Sequence, residues 1–308
     1  MVIIMKGIYH MQNATFGVGG NSESFYDEGK KHTYEAPAWL QGRGLDAYEY
    51  QAGNGLTAGD ASLKRVGDEA KKAGILMSLH SPYYISLSSV ELEKRLNSVR
   101  YIEQSIHAAE LLGADIVVIH TGSAAKITRE EAMNFASDTL YKLLENTDTQ
   151  VKLGLETMGK LNQLGTLDEV LTLCNLDKRL YPVVDFGHLN CRGRYHSGIF
   201  DLSDFDEPTP TGGVFVTADD YKRLFDRIGD KLGEEYVQNL HCHFSKIEYT
   251  KQGEKKHMRF SDEGYEPPFE PLIDVIIKEN LAPRIISESA GTMAEDAAAM
   301  KEYYFSHK

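Results

Sequence analysis

Short runs of almost uninterrupted apolar residues alternate along this chain with longer stretches of helical periodicity. The strand-like runs are IIMKGIY at 3–9, LDAYEY at 45–50, ILMSLH at 75–80, IVVIH at 116–120, VKLGLE at 151–156, PVVD at 182–185, NLHCHF at 239–244 and RIISE at 284–288. Several are apolar at nearly every position, as expected of parallel strands covered by helices rather than half-exposed ones. Helical patterns fall between them at 60–73, 89–112, 129–146, 167–174, 219–232, 270–279 and 292–304. Strand and helix in eightfold alternation predict an α/β protein folded as a (β/α)8 TIM barrel, with a doubly wound open sheet as the alternative.

Three stretches break the rhythm. Residues 10–40 are glycine-rich and polar and read as a long loop with room for one helix. Residues 186–218 are rich in Gly, Pro, Ser and Asp, and residues 245–269 are polar with paired lysines. The last two follow strands, which in a barrel sets them on the C-terminal face, where active-site loops gather. No internal repeat and no linker divides the sequence, so residues 1–308 read as one domain.

The polar residues fall at informative places. His80 closes the third strand, His120 the fourth, Glu156 the fifth and Asp185 the sixth, with His188 three residues on. His241 and His243 lie in the seventh strand, and Glu288 ends the eighth. Singly, each has an ordinary explanation as a hydrogen-bonded structural histidine or a helix-capping acid. Together they would converge on one mouth of a barrel, and burying so many ionisable groups without counter-charge is costly. Imidazole with carboxylate is the donor set for zinc, manganese or iron. Counting His257, the candidates His80, His120, Glu156, Asp185, His188, His243, His257 and Glu288 exceed what one ion takes. They therefore predict either a cluster sharing carboxylates, suited to phosphate-ester hydrolysis, or one ion whose ligands are oriented by neighbouring histidines.

Composition narrows the partners. With 33 basic against 46 acidic residues the net charge is −13, which excludes a uniformly basic nucleic-acid-binding surface but leaves room for a local, cation-bearing cleft. Cys174, Cys191 and Cys242 include no Cys-x-x-Cys and are too irregular for a disulfide framework. The first residues lack the long apolar segment of a secretory leader, and no run approaches the roughly 20 residues that span a bilayer. The expectation is a soluble, cytoplasmic protein with no membrane association and no obligate protein partner.

Several of these segments resemble the endonuclease IV type of apurinic/apyrimidinic endonuclease, within the broader xylose isomerase-like barrel group. The resemblance runs from the second strand to Glu288. It rests on His80-Ser81-Pro82-Tyr83-Tyr84-Ile85, on His120 in VVIHTG, on Glu156 in GLETMGK, on Asp185-Phe186-Gly187-His188, on His243 in HFSK with His241 as a rival, and on Glu288 in ISES. It implies zinc held in the barrel mouth: one ion by His80, His120 and Glu156, and a second by Glu156, Asp185, His243 and Glu288. A third would use His188, His257 and an aspartate two residues before His257, where this chain has Lys255. A protonated lysine cannot ligate a metal. Either Glu254 substitutes or two ions suffice, and manganese is an alternative ion.

The implied activity is metal-assisted cleavage of damaged duplex DNA 5′ to an abasic site, with Glu156 and Glu288 positioning and deprotonating the attacking water. Tyr83 and Tyr84 match a loop that enters DNA at the lesion, and Arg192, Arg194 and Lys246 are candidate phosphate contacts. A mononuclear sugar or polyol isomerase or epimerase using Glu156, Asp185, His243 and Glu288 is the competing enzyme, acting on a small sugar. A barrel that only senses a metal or phosphorylated ligand is a third class.

Overall fold

The computed structural model describes residues 13–193 and 214–308. Eight parallel strands close into a barrel: β1 (Thr15–Gly19), β2 (Ala47–Gln51), β3 (Leu76–His80), β4 (Ala114–His120), β5 (Lys152–Glu156), β6 (Leu180–Asp185), β7 (His241–Phe244) and β10 (Arg284–Ser287), with β10 pairing back onto β1. The larger helices are α3 (Asp60–Ala73), α4 (Leu92–Leu112), α5 (Arg129–Asn146), α6 (Leu167–Cys174), α8 (Ala218–Leu232), α10 (Glu270–Lys278) and α11 (Met293–His307). Their bounds follow local chemistry. Thr128 with Glu131 and Thr166 with Glu169 make capping boxes at the starts of α5 and α6. Gly74 and Gly113 take the left-handed conformation that ends α3 and α4.

The strand period of two separates structure from chemistry. One parity faces the helices and fills the main core: Phe16 and Val18, Tyr48, Met77 and Leu79, Val117 and Ile119, Leu153 and Leu155, Val184, Cys242 and Phe244, and Ile285. The other parity lines the barrel, with Ile116, Val118 and Val183 as a small apolar layer toward its base. His80, His120, Glu156, Asp185, His241 and His243 all carry this inward parity. Among the described residues, no helix is long and apolar enough to cross a membrane.

Two expectations need correction. The run at 3–9 lies outside the described residues, and the strand that closes the barrel is Thr15–Gly19, within the stretch read as a loop. Its signal is masked by glycine. A Cβ on Gly17 would stand 2.3 Å from the Ala47 carbonyl oxygen, so the close approach of β2 forbids a larger residue there. The same 10–40 stretch also holds α1 (Glu23–Asp27), a 3-10 turn at Thr33–Glu35 and α2 (Ala36–Gly42), more than the single helix expected. Of the remaining irregular stretches, 186–218 opens with α7 (Phe186–Gly193), and 245–269 folds as an antiparallel hairpin of β8 (Lys246–Thr250) and β9 (Gly253–Met258). The short α9 (Glu234–Gln238) leads into β7.

Candidate metal centre

Glu156, at the tip of β5, is fully buried and sits where three histidines from different strands converge. Its Oε2 lies 2.9 Å from His120 Nε2 and 3.3 Å from His80 Nε2, while its Oε1 lies 3.0 Å from His243 Nδ1. Glu288 approaches the same His243 Nδ1 at 3.6 Å. Burial alone would raise the Glu156 pKa, but His243, His120 and His80 hold it well below the usual carboxylate range.

Around this point the donor atoms form three neighbouring groups, the first two sharing Glu156: His80, His120 and Glu156; Glu156, Asp185, His243 and Glu288; and His188, Glu254 and His257. Within each group the donor atoms all lie within 4.8 Å of one another. A cavity of about 400 Å³ opens over them, lined also by Tyr83, Met158, Lys160 and Gln163.

Tautomers show what the histidines can do. His80 Nδ1 lies 2.8 Å from the Ser81 carbonyl and His188 Nδ1 lies 2.9 Å from the Thr157 carbonyl. Carbonyl oxygens only accept, so both Nδ1 atoms carry hydrogen and both Nε2 atoms of the neutral rings are lone pairs. His80 Nε2 then points its lone pair at Glu156, and His188 Nε2 lies 3.4 Å from Glu254 Oε2. Acceptor facing acceptor in a buried site requires a proton or a cation between them. His188 Nε2 and Asp185 Oδ2 are buried with no hydrogen-bond partner, and burial opposes charge on His188 while Asp185, Glu254 and Glu156 push its pKa up to about 9. Orphaned donors of this kind, on nitrogen and carboxylate oxygen, fit divalent ions such as zinc.

The hairpin supplies the outer group. His257 Nδ1 is 2.7 Å from Ser245 Oγ, which leaves Nε2 toward the cavity. Glu254 faces inward beside it, while Lys255 points outward and pairs with Glu248 at 2.5 Å. The β-bulge in the β8–β9 pairing leaves Lys255 as the extra residue between Glu254 and Lys256, and this break in strict alternation puts Glu254 on the side of His257, beside His188. The hairpin tip is seated on the loop after β5: Leu161 N donates to Gln252 O at 3.2 Å and Glu254 N to Gly159 O at 3.3 Å. Gly253, at φ 96°, packs so closely that a Cβ would meet Gly159 O at 2.3 Å.

The candidate DNA contacts divide. Tyr83 and Tyr84 are 54% and 52% exposed at the mouth; the Tyr83 ring stacks on His120 with centroids 5.4 Å apart, and Tyr84 packs edge-on against Tyr101. Arg192 is corrected: it is 1% exposed, and its guanidinium donates to the carbonyls of Met158, Lys160 and Gln163 at 2.9, 2.6 and 2.9 Å. It pins the β5 loop from inside and presents no face to a phosphate. Lys246 is half-buried, and its ammonium donates to Phe260 O and Asp262 O at 2.6 and 3.0 Å, so two of its three donors are engaged within the protein. Arg194 lies outside the described residues. Lys160 adds an exposed cation at the rim among the described residues.

Glu49 was also missed. It is wholly buried inside the barrel, with Oε2 2.9 Å from His241 Nε2 and Oε1 3.0 Å from His243 Nε2. The alternation Tyr48-Glu49-Tyr50 within β2 was the available signal, because two outward aromatics aim the acid between them inward. His241 is engaged with Glu49 below the cluster, and His243 is the seventh-strand histidine that faces Glu156.

A family described as xylose isomerase-like TIM barrel matches residues 37–303. The chain belongs to that family. An uncharacterised protein of Methanocaldococcus jannaschii is 27% identical over 253 residues, covering 81% of this chain and 83% of its own. Proteins named probable endonuclease 4 match at 27% identity in Acholeplasma laidlawii, over 65% of this chain and 64% of theirs, and at 31% in Mycoplasma genitalium, over 54% and 52%. The chain thus spans about half to two thirds of the length of these endonuclease relatives. Among solved structures, endonuclease IV from Thermus thermophilus superposes with a TM-score of 0.63 at 18% identity, covering 95% of this chain and 98% of that one. A D-tagatose 3-epimerase-like protein superposes with a TM-score of 0.64, also at 18% identity, covering 95% and 96%. At such identity these likenesses establish the family's shared fold.

Proposed function

We propose that this protein is a metal-dependent phosphodiesterase that incises duplex DNA at abasic sites, an endonuclease IV-like repair enzyme. The observation that carries the reading is that Glu156 joins two of the donor groups while a third stands beside it. A mononuclear site needs only Glu156, Asp185, His243 and Glu288. His80, His120, His188, Glu254 and His257 would then be five further donors, clustered without a task. The names of the endonuclease relatives support the same reading.

In this proposal His80, His120 and Glu156 hold one ion, Glu156, Asp185, His243 and Glu288 a second, and His188, Glu254 and His257 a third, with zinc favoured by the nitrogen-rich set and manganese as the alternative. Ions bound there would supply Lewis-acid polarisation of the phosphoryl group and neutralise its developing charge. Glu156 and Glu288 orient the attacking water and take its proton at a carboxylate oxygen. Tyr83 and Tyr84 offer apolar rings to fill the helical gap at a missing base, as aromatic wedges do elsewhere. Lys160 meets a backbone phosphate at the rim. A cytoplasmic setting, with damaged DNA as partner and no obligate protein partner, follows from this reading.

The alternative is a sugar epimerase, and one observation favours it: the four donors on the barrel wall already make a complete single-ion site with two carboxylates able to exchange a proton. Metal analysis of the purified protein separates the two. Two or three zinc ions per chain, with incision of a duplex bearing one abasic analogue and none of an undamaged control, support the nuclease. One exchangeable manganese per chain, with epimerisation of a ketose and no incision under zinc-replete conditions, would overturn it.

A further inference from the structure

Glu49 reaches across the barrel interior from β2 to β7 and is not a member of the donor groups assigned above. Its two oxygens have separate tasks. Oε2 accepts from Ser78 Oγ and lies against His241 Nε2, each at 2.9 Å, so that edge of the carboxylate is tied into β3 and β7. Oε1 faces His243 Nε2 at 3.0 Å, in a short but bent contact, and Gln51 Nε2 also reaches it at 3.4 Å. All three of Glu49, His241 and His243 are buried, so no solvent competes for these contacts.

His243 therefore stands between two carboxylate layers. Its Nδ1 looks up to Glu156 and Glu288, and its Nε2 looks down to Glu49. An imidazole that ligates through one nitrogen carries hydrogen on the other, and a carboxylate partner for that hydrogen fixes both the tautomer and the ring plane. Glu49, His241 and His243 could themselves be read as a cation site. The 2.9 Å contact of His241 with Glu49 is a hydrogen bond, His243 Nε2 stands 3.0 Å from Oε1 in a bent contact that one small ring rotation would straighten, and His243 already turns its other nitrogen to the upper cluster, so the orienting role accounts for the geometry better.

We infer that Glu49 is a positioning residue: it holds His243 with hydrogen on Nε2 and thereby makes Nδ1 the atom offered to the ion shared with Glu156, Asp185 and Glu288. This rests on the metal-centre reading and adds to it the residue that selects the ligand atom. His241 and Ser78 brace the far side of the same carboxylate and leave Oε1 facing His243, with Gln51 beside it.

The test is zinc affinity by competition with a chromophoric chelator, paired with 15N-resolved imidazole spectra of the zinc-loaded protein. Glu49→Gln keeps the shape but loses the anionic acceptor, and it is expected to weaken the affected zinc about 10–100-fold. The His243 Nε2 proton should lose its slow exchange. His241→Gln, which disturbs the same buried network on the Oε2 side, should cost stability but change that affinity less than threefold. If Glu49→Gln binds zinc like the wild type, or if zinc-loaded wild type carries the His243 proton on Nδ1, Glu49 is not a positioning residue while the metal centre stands. Should Glu49→Gln fail to fold, the wild-type spectrum alone decides. A folded wild type that takes up no zinc overturns both readings.

Discussion

Arg192 invites two opposite expectations, and replacing it with methionine distinguishes them. Methionine keeps most of the buried apolar volume and removes, among others, the hydrogen bonds donated to the carbonyls of Met158, Lys160 and Gln163. Bonds from a charged donor contribute about 1.5–3 kcal/mol each, which sets a ceiling of roughly 5–9 kcal/mol for the trio. Lys160 is exposed, so water can recover part of this as the loop relaxes. The expected loss is about 3–5 kcal/mol, a large part of the ~5–15 kcal/mol typical of a domain. Urea unfolding followed by circular dichroism measures it. Because Glu254 N donates to the carbonyl of Gly159 in the same loop, the folded variant should also hold the ion of the hairpin group more weakly. Its dependence of DNA affinity on salt should match the wild type. A phosphate-contacting arginine would behave the other way, with stability within about 1 kcal/mol of wild type and a salt slope smaller by about 0.9. That pair of results would refute the structural role.

Three further outcomes are expected. Glu254→Gln should lose one metal ion per chain by elemental analysis while Lys255→Ala loses none; the reverse pattern would show that residue 255 faces the site. The buried Glu169 has a lowered pKa because Arg129 and the amides of Gly165 and Thr166 overcome the effect of burial. A depressed folded-state pKa gives stability that is present above the ordinary value of 4.5 and lost as pH falls through the folded value, so the deficit of Glu169→Gln relative to wild type should be full at pH 7 and shrink below pH 4.5. A deficit that stays constant between pH 7 and pH 3 in urea titrations would count against this. Gly17→Ala, whose methyl would meet the Ala47 carbonyl at 2.3 Å, should lower stability by at least about 1–3 kcal/mol, seen as a reduced melting temperature.

The sequence carried the barrel from β2 onward because most of its strands are largely apolar on both faces until they end, and endings are where the mouth lies. His80, His120, Glu156 and Asp185 stood out for that reason. β1 did not, since the glycines that let it pack against Ala47 and beside Glu288 leave few apolar residues to see. Arg192 misled because charge in a loop suggests solvent, whereas here the charge satisfies carbonyls that a sharply folded loop cannot pair with one another. Lys255 suggested a damaged site because the match was made position by position. A β-bulge at Lys255 turns Glu254 to the side of His257, and a polar, lysine-rich segment gives no sign of such a bulge. Glu49 was hidden by its depth, two residues short of a strand end.

The β8–β9 hairpin has a meaning for how such a protein changes over generations. It lies outside the barrel sheet, yet it carries Glu254 and His257, and it docks on the loop after β5 through main-chain contacts and on α7 through the buried Ile247. The wall residues Glu156, Asp185, His243 and Glu288 owe their placement to the barrel alone. Changing that one connection would therefore alter the outer donor group and leave every wall position as it is. Its exposed positions, Lys255 and Lys256 among them, can vary without touching the barrel, whereas Ile247 and Gly253 are held by close packing.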